Sequence, residues 1–236
     1  MTAKIEIPDC GSCNTRHKSV FCNLKNNELD KLSYNKGCSS YKKGQIIFYE
    51  GRRPTGLYCI NQGKVKVAKL GEEGKEQIVR FAGEGDILGY RSLISGDTYS
   101  ASSETLEETQ VCFIPKDAIF DLINESPRFA LKIIELVSRD LKSAENKVTD
   151  LAQKHVRERV AEALLMLKET YGFEEDEQTI AISLTREVLA NIVGTATETV
   201  IRLLSELKQD NVIALERRKI KILNLKQLVR TASIYD

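Results

Sequence analysis

The sequence lacks a hydrophobic run long enough to form a transmembrane helix. No segment approaches the roughly 20 consecutive apolar residues that a membrane span requires. The first eight residues, Met1–Pro8, also lack the apolar region of a secretory signal peptide. Apolar residues make up 42% and charged residues 29% of the 236 positions, which is ordinary for a globular protein. We therefore expect a cytoplasmic protein of two modest domains, with no membrane partner.

An overall basic charge is also missing. The formal net charge is only +1, so the chain as a whole has no electrostatic footprint for nucleic acid. The charges are instead sorted into an acidic cluster, Glu174, Glu175, Asp176 and Glu177, and a basic cluster, Arg217, Arg218, Lys219 and Lys221. A charge run is usually a solvated face, so only its location in the fold can give it a function.

Short strand-like runs separated by glycine occupy the stretch from about Tyr41 to Pro115. These β-branched or aromatic runs are Ile46–Phe48, Leu57–Ile60, Val65–Val67 and Val111–Ile114. Many short strands with turn residues at this spacing indicate a β-barrel or β-roll. The segment Gly71–Gly74 has the composition of a hairpin tip.

No glycine or proline interrupts the chain from Arg128 to Met166, so this stretch predicts a long helix. Its apolar residues alternate spacings of three and four, which is the heptad pattern of a coiled coil. They are Ile134, Val137, Leu141, Ala144, Val148 and Leu151. A buried core helix would show similar spacing, but the charged residues that flank the seam favour a two-stranded coiled coil and hence a homodimer.

The last third of the chain predicts two helices followed by two strands. The first helix covers Thr185–Val193 with its threonine as N-cap, and Gly194 ends it. The second covers about 197–208, and the strands Val212–Leu215 and Lys219–Leu223 place the basic cluster at their turn. This order of elements is typical of a winged helix-turn-helix.

Glu198 and Arg202 lie four residues apart in the second of these helices and therefore share one face. Arginine can bond guanine bidentately and glutamate can accept from cytosine, so the pair suits the reading of adjacent base pairs in the major groove. Two structural alternatives remain open. Glu198 fits a capping box with Thr195, or it forms a surface ion pair with Arg202.

The segment Leu184–Leu204, with its E-x-x-x-R pattern, resembles the helix-turn-helix signature of the CRP/FNR regulators. The glycine-rich roll, the long helix and the wing also follow one another as in that family. The resemblance implies an α+β fold with an N-terminal β-roll (a cyclic-nucleotide-binding-like jelly roll), a long dimerisation helix and a C-terminal winged helix-turn-helix. We expect a cysteine-rich segment at 1–25, a sensor roll at 26–125, a dimerisation helix at 126–154 and a DNA-binding domain at 155–236.

The same resemblance implies a sequence-specific DNA-binding transcription regulator and not an enzyme. Its partners would be palindromic double-stranded DNA with a TGA-like step, a second copy of the chain, and RNA polymerase. It assigns base contacts to Glu198 and Arg202. The other DNA-binding candidates are the phosphate-contacting positions Thr185, Arg186 and Thr199, Thr197 in the recognition helix, and Arg217, Arg218 and Lys219 in the wing. The outer bases stay open because Ile201 stands where many members have Ser or Gly.

The sensor roll departs from the members of the family that bind cyclic AMP. Those members use a glutamate for the ribose and an arginine for the phosphate. Here Tyr90 stands at the glutamate position and Tyr99 near the arginine position. A buried phosphate without a charged partner would be poorly held. We therefore expect no cyclic nucleotide, and other effectors such as heme or an organic acid stay open.

Cysteines at the N-terminus resemble the FNR branch, in which three N-terminal cysteines and one from the roll hold a [4Fe–4S] cluster. The motif Cys10-Gly-Ser-Cys13 places two thiolates within reach of one metal centre, Cys22 follows, and Cys112 precedes the long helix. We therefore expect the ligands to be Cys10, Cys13, Cys22 and Cys112, and the protein to respond to oxygen or redox state.

The cysteine pattern leaves alternatives open. The gap from Cys13 to Cys22 is longer than in the FNR branch, so Cys38 is a second candidate for the fourth ligand. Four thiolates also suit zinc, and C-x-x-C alone is a thiol–disulfide motif. A thiol oxidoreductase would require that motif beside a βαβ pattern, which is not evident here. We expect Cys59 to be a buried inert thiol, and no disulfide framework.

Overall fold

The structure is a computed structural model that describes residues 9–71, 74 and 76–233. The chain divides into two compact units, Met1–Lys142 and Ser143–Asp236. Within the described ranges no single helix is long and apolar enough to span a membrane. One pair of helices, Arg186–Val193 and Thr197–Gln209, reaches that length and apolar composition only when the two are taken together, and the pair is bent by 98°. The segment Met1–Pro8 and the centre of the expected hairpin tip, residues 72 and 73, lie outside the described residues.

The first unit contains a roll of two four-stranded antiparallel sheets. Its strands are β1 (Gly37–Tyr41), β2 (Ile46–Phe48), β3 (Gly56–Gln62), β4 (Val65–Leu70), β5 (Glu76–Ala82), β6 (Ile87–Leu88), β7 (Ser102–Thr105) and β8 (Thr109–Pro115). The sheet orders are β1-β8-β3-β6 and β2-β7-β4-β5. The four strands predicted from β-branched and aromatic runs lie within β2, β3, β4 and β8, and those predictions are confirmed.

Helices cover one side of this roll. They are α1 (Asn26–Asn35), α2 (Tyr90–Ser95), α3 (Lys116–Glu125) and α4 (Pro127–Gln153), preceded by a 3₁₀ turn at Arg16–Lys18. Their core includes the fully buried Leu29, Ile119 and Phe129. The cysteine-rich segment joins this core through Phe21, whose ring stacks on that of Phe129 with centroids 5.6 Å apart. Phe21 therefore packs the described part of this segment against the first turn of α4.

The predicted long helix is interrupted before the DNA-binding elements begin. It ends at Gln153, and α5 (Val156–Tyr171) starts after a two-residue break. Lys154 bridges Asp150 at 3.0 Å and Glu162 at 3.1 Å, and the backbone N–H of His155 donates to Glu158 at 2.8 Å. These contacts give partners to the backbone N–H of His155 and to the ammonium group of Lys154 at the start of α5. The break therefore forms without glycine or proline.

The second unit is completed by α6 (Arg186–Val193), α7 (Thr197–Gln209), the hairpin β9 (Ile213–Glu216) and β10 (Lys219–Ile222), and α8 (Leu225–Thr231). Its core contains the fully buried Val160, Leu164, Val200 and Leu204. The expected fold class, a β-roll followed by a long helix and a winged helix-turn-helix, is confirmed.

Candidate functional site

The two helices α6 and α7 form a tight bend whose ends are set by local chemistry. The hydroxyl of Thr185 accepts a hydrogen bond from the backbone N–H of Val188 at 3.1 Å, so Thr185 is the N-cap that the sequence predicted. Gly194 ends α6 with φ 72°, in the left-handed region that favours glycine. The N-cap of α7 is Ala196, and its side chain makes no capping bond. The proposed capping box between Thr195 and Glu198 is therefore absent.

The outer face of α7 carries the two predicted base-reading residues. Glu198 and Arg202 are both exposed, whereas Val200, Leu203 and Leu204 on the opposite face are buried. Arg202 Nη1 donates to Glu206 Oε1 at 2.6 Å, so its ion-pair partner is Glu206 and not Glu198. Neither structural alternative for Glu198 is realised, and its carboxylate is presented to solvent.

The remaining helix positions named by the resemblance lie around the same surface. Thr197 and Thr199 are half-buried in the first turn of α7. Arg186 Nη2 donates to the backbone oxygen of Arg217 at 3.0 Å, and burial lowers the pKa of Arg186. Arg186 thus ties the start of α6 to the turn of the wing.

The wing brings together two charge clusters that are distant in the sequence. Lys219 pairs with Glu174 at 2.7 Å and Lys221 with Asp176 at 3.2 Å. Hydrogen bonds from Thr179, first from its backbone N–H, lower the pKa of Asp176. Sequence analysis missed this pairing, although the strand-like residues after the acidic run, which form a bridge between Thr179 and Lys221, were a possible signal.

Two wing residues stay outside these ion pairs. Arg217 and Arg218 form the turn between β9 and β10, and both are exposed. Arg217 has φ 54°, which the two-residue turn requires. The basic cluster of the sequence therefore splits into two lysines that pair with carboxylates and two arginines that face solvent.

A cavity in the first unit is lined by four cysteines. Cys10 and Cys13 come from the N-terminal segment, Cys59 from β3 and Cys112 from β8, and the cavity volume is about 30 Å³. Lys36 Nζ donates to Cys10 Sγ at 3.1 Å, and Cys13 Sγ donates to Asn61 Oδ1 at 3.3 Å. Burial, followed by the neighbouring Cys13 and Cys10, raises the pKa of the Cys59 thiol to about 12.

This arrangement differs from the expected ligand set in two respects. Cys22 is absent from the cavity lining, and Cys112 forms a disulfide with Cys38. The disulfide also differs from the expectation that the cysteines form no such framework. It arises because Cys38 and Cys112 are direct cross-strand partners in β1 and β8. Among the described residues, no three His, Cys, Asp or Glu side chains are already arranged around a metal position.

The roll pocket at the cyclic-nucleotide position is filled by its own side chains. Tyr99 stacks on Phe48 with centroids 4.1 Å apart, and the remaining cavity volume is about 30 Å³. Tyr90 donates a hydrogen bond to Asp140 of α4, and Arg80 Nη1 reaches the same carboxylate at 3.3 Å. Burial, with this hydrogen bond as the second cause, raises the pKa of Tyr90 to about 12.

The apolar seam predicted on the long helix lies on α4 and faces solvent. Ile134 is 60% exposed, Leu141 60% and Val148 68%, which is unusual for large apolar side chains in one row. The other seam positions, Val137, Ala144 and Leu151, are also exposed. A single copy of the chain leaves this row uncovered.

Two parts of the chain match known domain families. Residues 38–126 match the cyclic nucleotide-binding domain, and residues 158–231 match the Crp-like helix-turn-helix domain. The first match covers the roll, and the second covers α5 to α8. The helix α4 lies between the two matched segments.

Relatives extend over almost the whole chain. The fumarate and nitrate reduction regulatory protein of Yersinia pestis is 30% identical over 227 residues, or 94% of this chain and 90% of the relative. The anaerobic regulatory protein of Aggregatibacter actinomycetemcomitans is 29% identical over 224 residues, or 93% and 86%. A crp/fnr-family transcriptional regulator of Eubacterium rectale has the same fold, with a TM-score of 0.78, 22% identity, and coverage of 91% of this chain and 98% of that one.

Proposed function

This chain belongs to the CRP/FNR family of DNA-binding transcription regulators, and from that premise we propose that it senses oxygen or redox state through a cysteine-bound [4Fe–4S] cluster. In this proposal the sensor consists of the segment 1–25 and the roll 26–125. The helix at 126–154 makes the dimer, and 155–236 binds DNA. The protein acts in the cytoplasm with RNA polymerase, and it has no catalytic activity of its own.

The DNA-binding role of α7 is supported by its two faces. Its buried leucines fix the helix against the unit, while Glu198 and Arg202 project from the solvent side. Exposed side chains one helical turn apart can reach adjacent base edges in the major groove. The candidates for contacts to the DNA backbone are Thr185, Arg186, Thr199 and the wing residues Arg217, Arg218 and Lys219. Thr197 is a further DNA-binding candidate in the first turn of α7.

A homodimer is supported by the exposed seam of α4. A row of exposed Ile134, Leu141 and Val148 would be a liability in a monomer, and pairing with a second copy removes it from water. A two-fold dimer places its recognition helices about 34–36 Å apart, so the operator should be palindromic.

The observation that carries the sensing proposal is the cavity shared by Cys10, Cys13 and Cys112. Thiolates are the ligands of iron–sulfur clusters, and three of the four expected ones meet at this place. When bound, the cluster would supply a centre whose redox state and integrity depend on oxygen. The names of the relatives, which refer to anaerobic regulation and to fumarate and nitrate reduction, support the same signal. The roll pocket argues against a cyclic nucleotide, because Tyr99 occupies it and stacks there on Phe48.

The test is an anaerobic purification of the full chain. Iron and acid-labile sulfide are quantified, and absorbance and DNA affinity are measured before and after exposure to air. We expect iron and sulfide in comparable amounts, a charge-transfer band that bleaches in air, and a DNA affinity that changes with it. A protein without iron and sulfide would contradict the proposal, and so would a DNA affinity that stays the same when the absorbance band bleaches.

A second candidate function, a dithiol switch, is favoured by one specific observation. Cys38 and Cys112 form a disulfide across β1 and β8. Exchange with a small-molecule disulfide would form this bond, and the two thiols released would carry away the electrons and protons. Mass spectrometry of alkylated protein from reduced and oxidised samples tests it. DNA affinity that follows the Cys38–Cys112 bond in metal-free protein would favour this switch over the cluster.

A further inference from the structure

Cys59 was expected to be an inert thiol, yet it lies among the proposed cluster ligands. It occupies β3, directly opposite Cys112 of β8 in the antiparallel register. Side chains at directly opposed positions lie on the same face of a sheet, with Cβ atoms about 4.5–5.5 Å apart. Both line the cavity that also receives Cys10 and Cys13. The register of the sheet thus brings a fourth sulfur to the site.

The loop that carries Cys10 and Cys13 is fastened to the same face of β3. Cys13 Sγ donates to Asn61 Oδ1 at 3.3 Å, and Asn61 also lines the cavity. Cys59 and Asn61 both line the cavity, so they face the loop together. At the other end of the loop, the backbone N–H of Cys10 donates to Ser33 Oγ of α1 at 2.8 Å.

Cys22 is held away from this cavity by its neighbours. Phe21 lines the cavity, is 6% exposed and stacks on Phe129, whereas Cys22 does not line it. The turn is fixed by Ser19, whose hydroxyl donates to Arg16 O at 2.8 Å and accepts from the N–H of Phe21 at 3.1 Å. To bring Cys22 inward, this turn would have to open and Phe21 would have to leave the core.

We propose that the metal–sulfur centre of this protein is held by Cys10, Cys13, Cys59 and Cys112, and that Cys22 is not a ligand. The inference deepens the proposed function and rests on it. Lys36, which donates to Cys10 Sγ, and Arg16, which lines the cavity, offset part of the charge of four thiolates. Cys112 becomes available when a dithiol reductant opens its bond to Cys38, taking up the disulfide and supplying two electrons and two protons.

The size of the cavity distinguishes a zinc ion from a [4Fe–4S] cluster, although both are bound by thiolates. A volume of about 30 Å³ is enough for a single tetrahedral zinc ion once the Cys38–Cys112 bond is open and the four sulfurs have moved together. A [4Fe–4S] cluster is larger, so the Cys10–Cys13 loop has to move outward to admit it. Both occupants use the same four sulfurs.

The decisive experiment uses the reduced full chain, reconstituted without air with Fe²⁺ and sulfide, or with Zn²⁺ or Co²⁺. Cys59→Ser is compared with Cys22→Ser as its matched control. We expect Cys22→Ser to keep the iron and sulfide of the wild type. Cys59→Ser should lose them and should bind Co²⁺ more than about tenfold more weakly. Circular dichroism and light scattering show whether each variant is folded.

A double variant, Cys22→Ser with Cys38→Ser, tests the same ligand assignment if Cys59→Ser fails to fold. It leaves only the four proposed ligands among the six cysteines. We expect full iron and sulfide, and a Co²⁺ charge-transfer intensity of four thiolates. Metal loss in this double variant, or retention in a folded Cys59→Ser protein, overturns the ligand assignment while leaving the sensing proposal intact.

Metal identity distinguishes the two proposals. Zinc without iron in the wild type, lost on Cys59→Ser, supports the ligand assignment and refutes the iron–sulfur function. A wild type that binds none of these metals after reduction refutes both.

Discussion

Arg202 offers a substitution whose effects on recognition and on stability can be separated. Its side chain is 65% exposed and its ion pair with Glu206 is at the surface. Such pairs contribute about 0.3–0.5 kcal/mol to folding. Glu206 also pairs with Arg157 at 3.0 Å, so it keeps a partner when Arg202 is removed. We therefore expect Arg202→Ala to change the free energy of unfolding by less than about 0.5 kcal/mol.

The expected loss on DNA is larger. A bidentate arginine–guanine contact contributes about 1–3 kcal/mol of discrimination, so Arg202→Ala should weaken binding to the cognate palindrome by about 5- to 150-fold. A scrambled duplex should be bound almost as before, because only the base contact is lost. Opening the Glu206 pair costs at most the surface value, so Glu206→Gln should improve cognate binding by no more than about twofold.

Gel-shift titrations of both duplexes at one fixed salt concentration give the measurement. Lys208→Ala is the matched control, because it removes one exposed positive charge from the last turn of the same helix, α7. Equal losses on cognate and scrambled DNA for Arg202→Ala would show that Arg202 contacts phosphate and not bases. An unchanged cognate affinity would remove Arg202 from the interface.

The remaining predictions concern the wing and the dimer. Arg218→Ala should weaken all duplexes alike and lower the salt slope by about 0.9, measured as log affinity against log salt, and an unchanged slope would exclude a phosphate contact. Glu174→Gln releases Lys219 from its pair, so the same titration should show tighter binding to every sequence; weaker binding would contradict this. Light scattering at micromolar protein should show a dimer with and without air, and a monomer for Leu141→Glu. A wild-type monomer after exposure to air would identify association as the switch.

Local patterns predicted the elements that depend on neighbouring residues. Thr185 caps α6 and Gly194 ends it because capping and left-handed turns are properties of a few adjacent residues. The four strands were found for the same reason, since β-branched runs between glycines carry their own signal. The helix end near residue 154 was expected from the family resemblance and not from a local stop signal, because ion pairs of Lys154 and a bond to Glu158 replace the usual glycine or proline.

Contacts that depend on the pairing of distant strands could not be predicted from local sequence patterns. Cys59 joins the cavity because β3 and β8 pair in a register that places it opposite Cys112, and one residue of slip would turn it to the other face. The disulfide of Cys38 depends on the register of β1 with β8 in the same manner. The pairing of Glu174 with Lys219 likewise needs the strand-like segment after the acidic run to lie beside the wing.

The first unit connects the cysteine cavity to α4 at two places. Phe21 lines the cavity and stacks on Phe129 in the first turn of the helix, and further along Asp140 accepts from both Tyr90 and Arg80 of the roll. If a metal–sulfur centre binds at the cavity and favours one packing of Phe21 over another, that difference in free energy also favours one position of α4. The seam proposed to face a second copy is apolar at all six of its positions, so no polar residue in it weakens association to the point where a small change would separate the subunits. We therefore expect a shift at Phe129 to change the direction of the helix, and with it the placement of the recognition helices, in a dimer that persists.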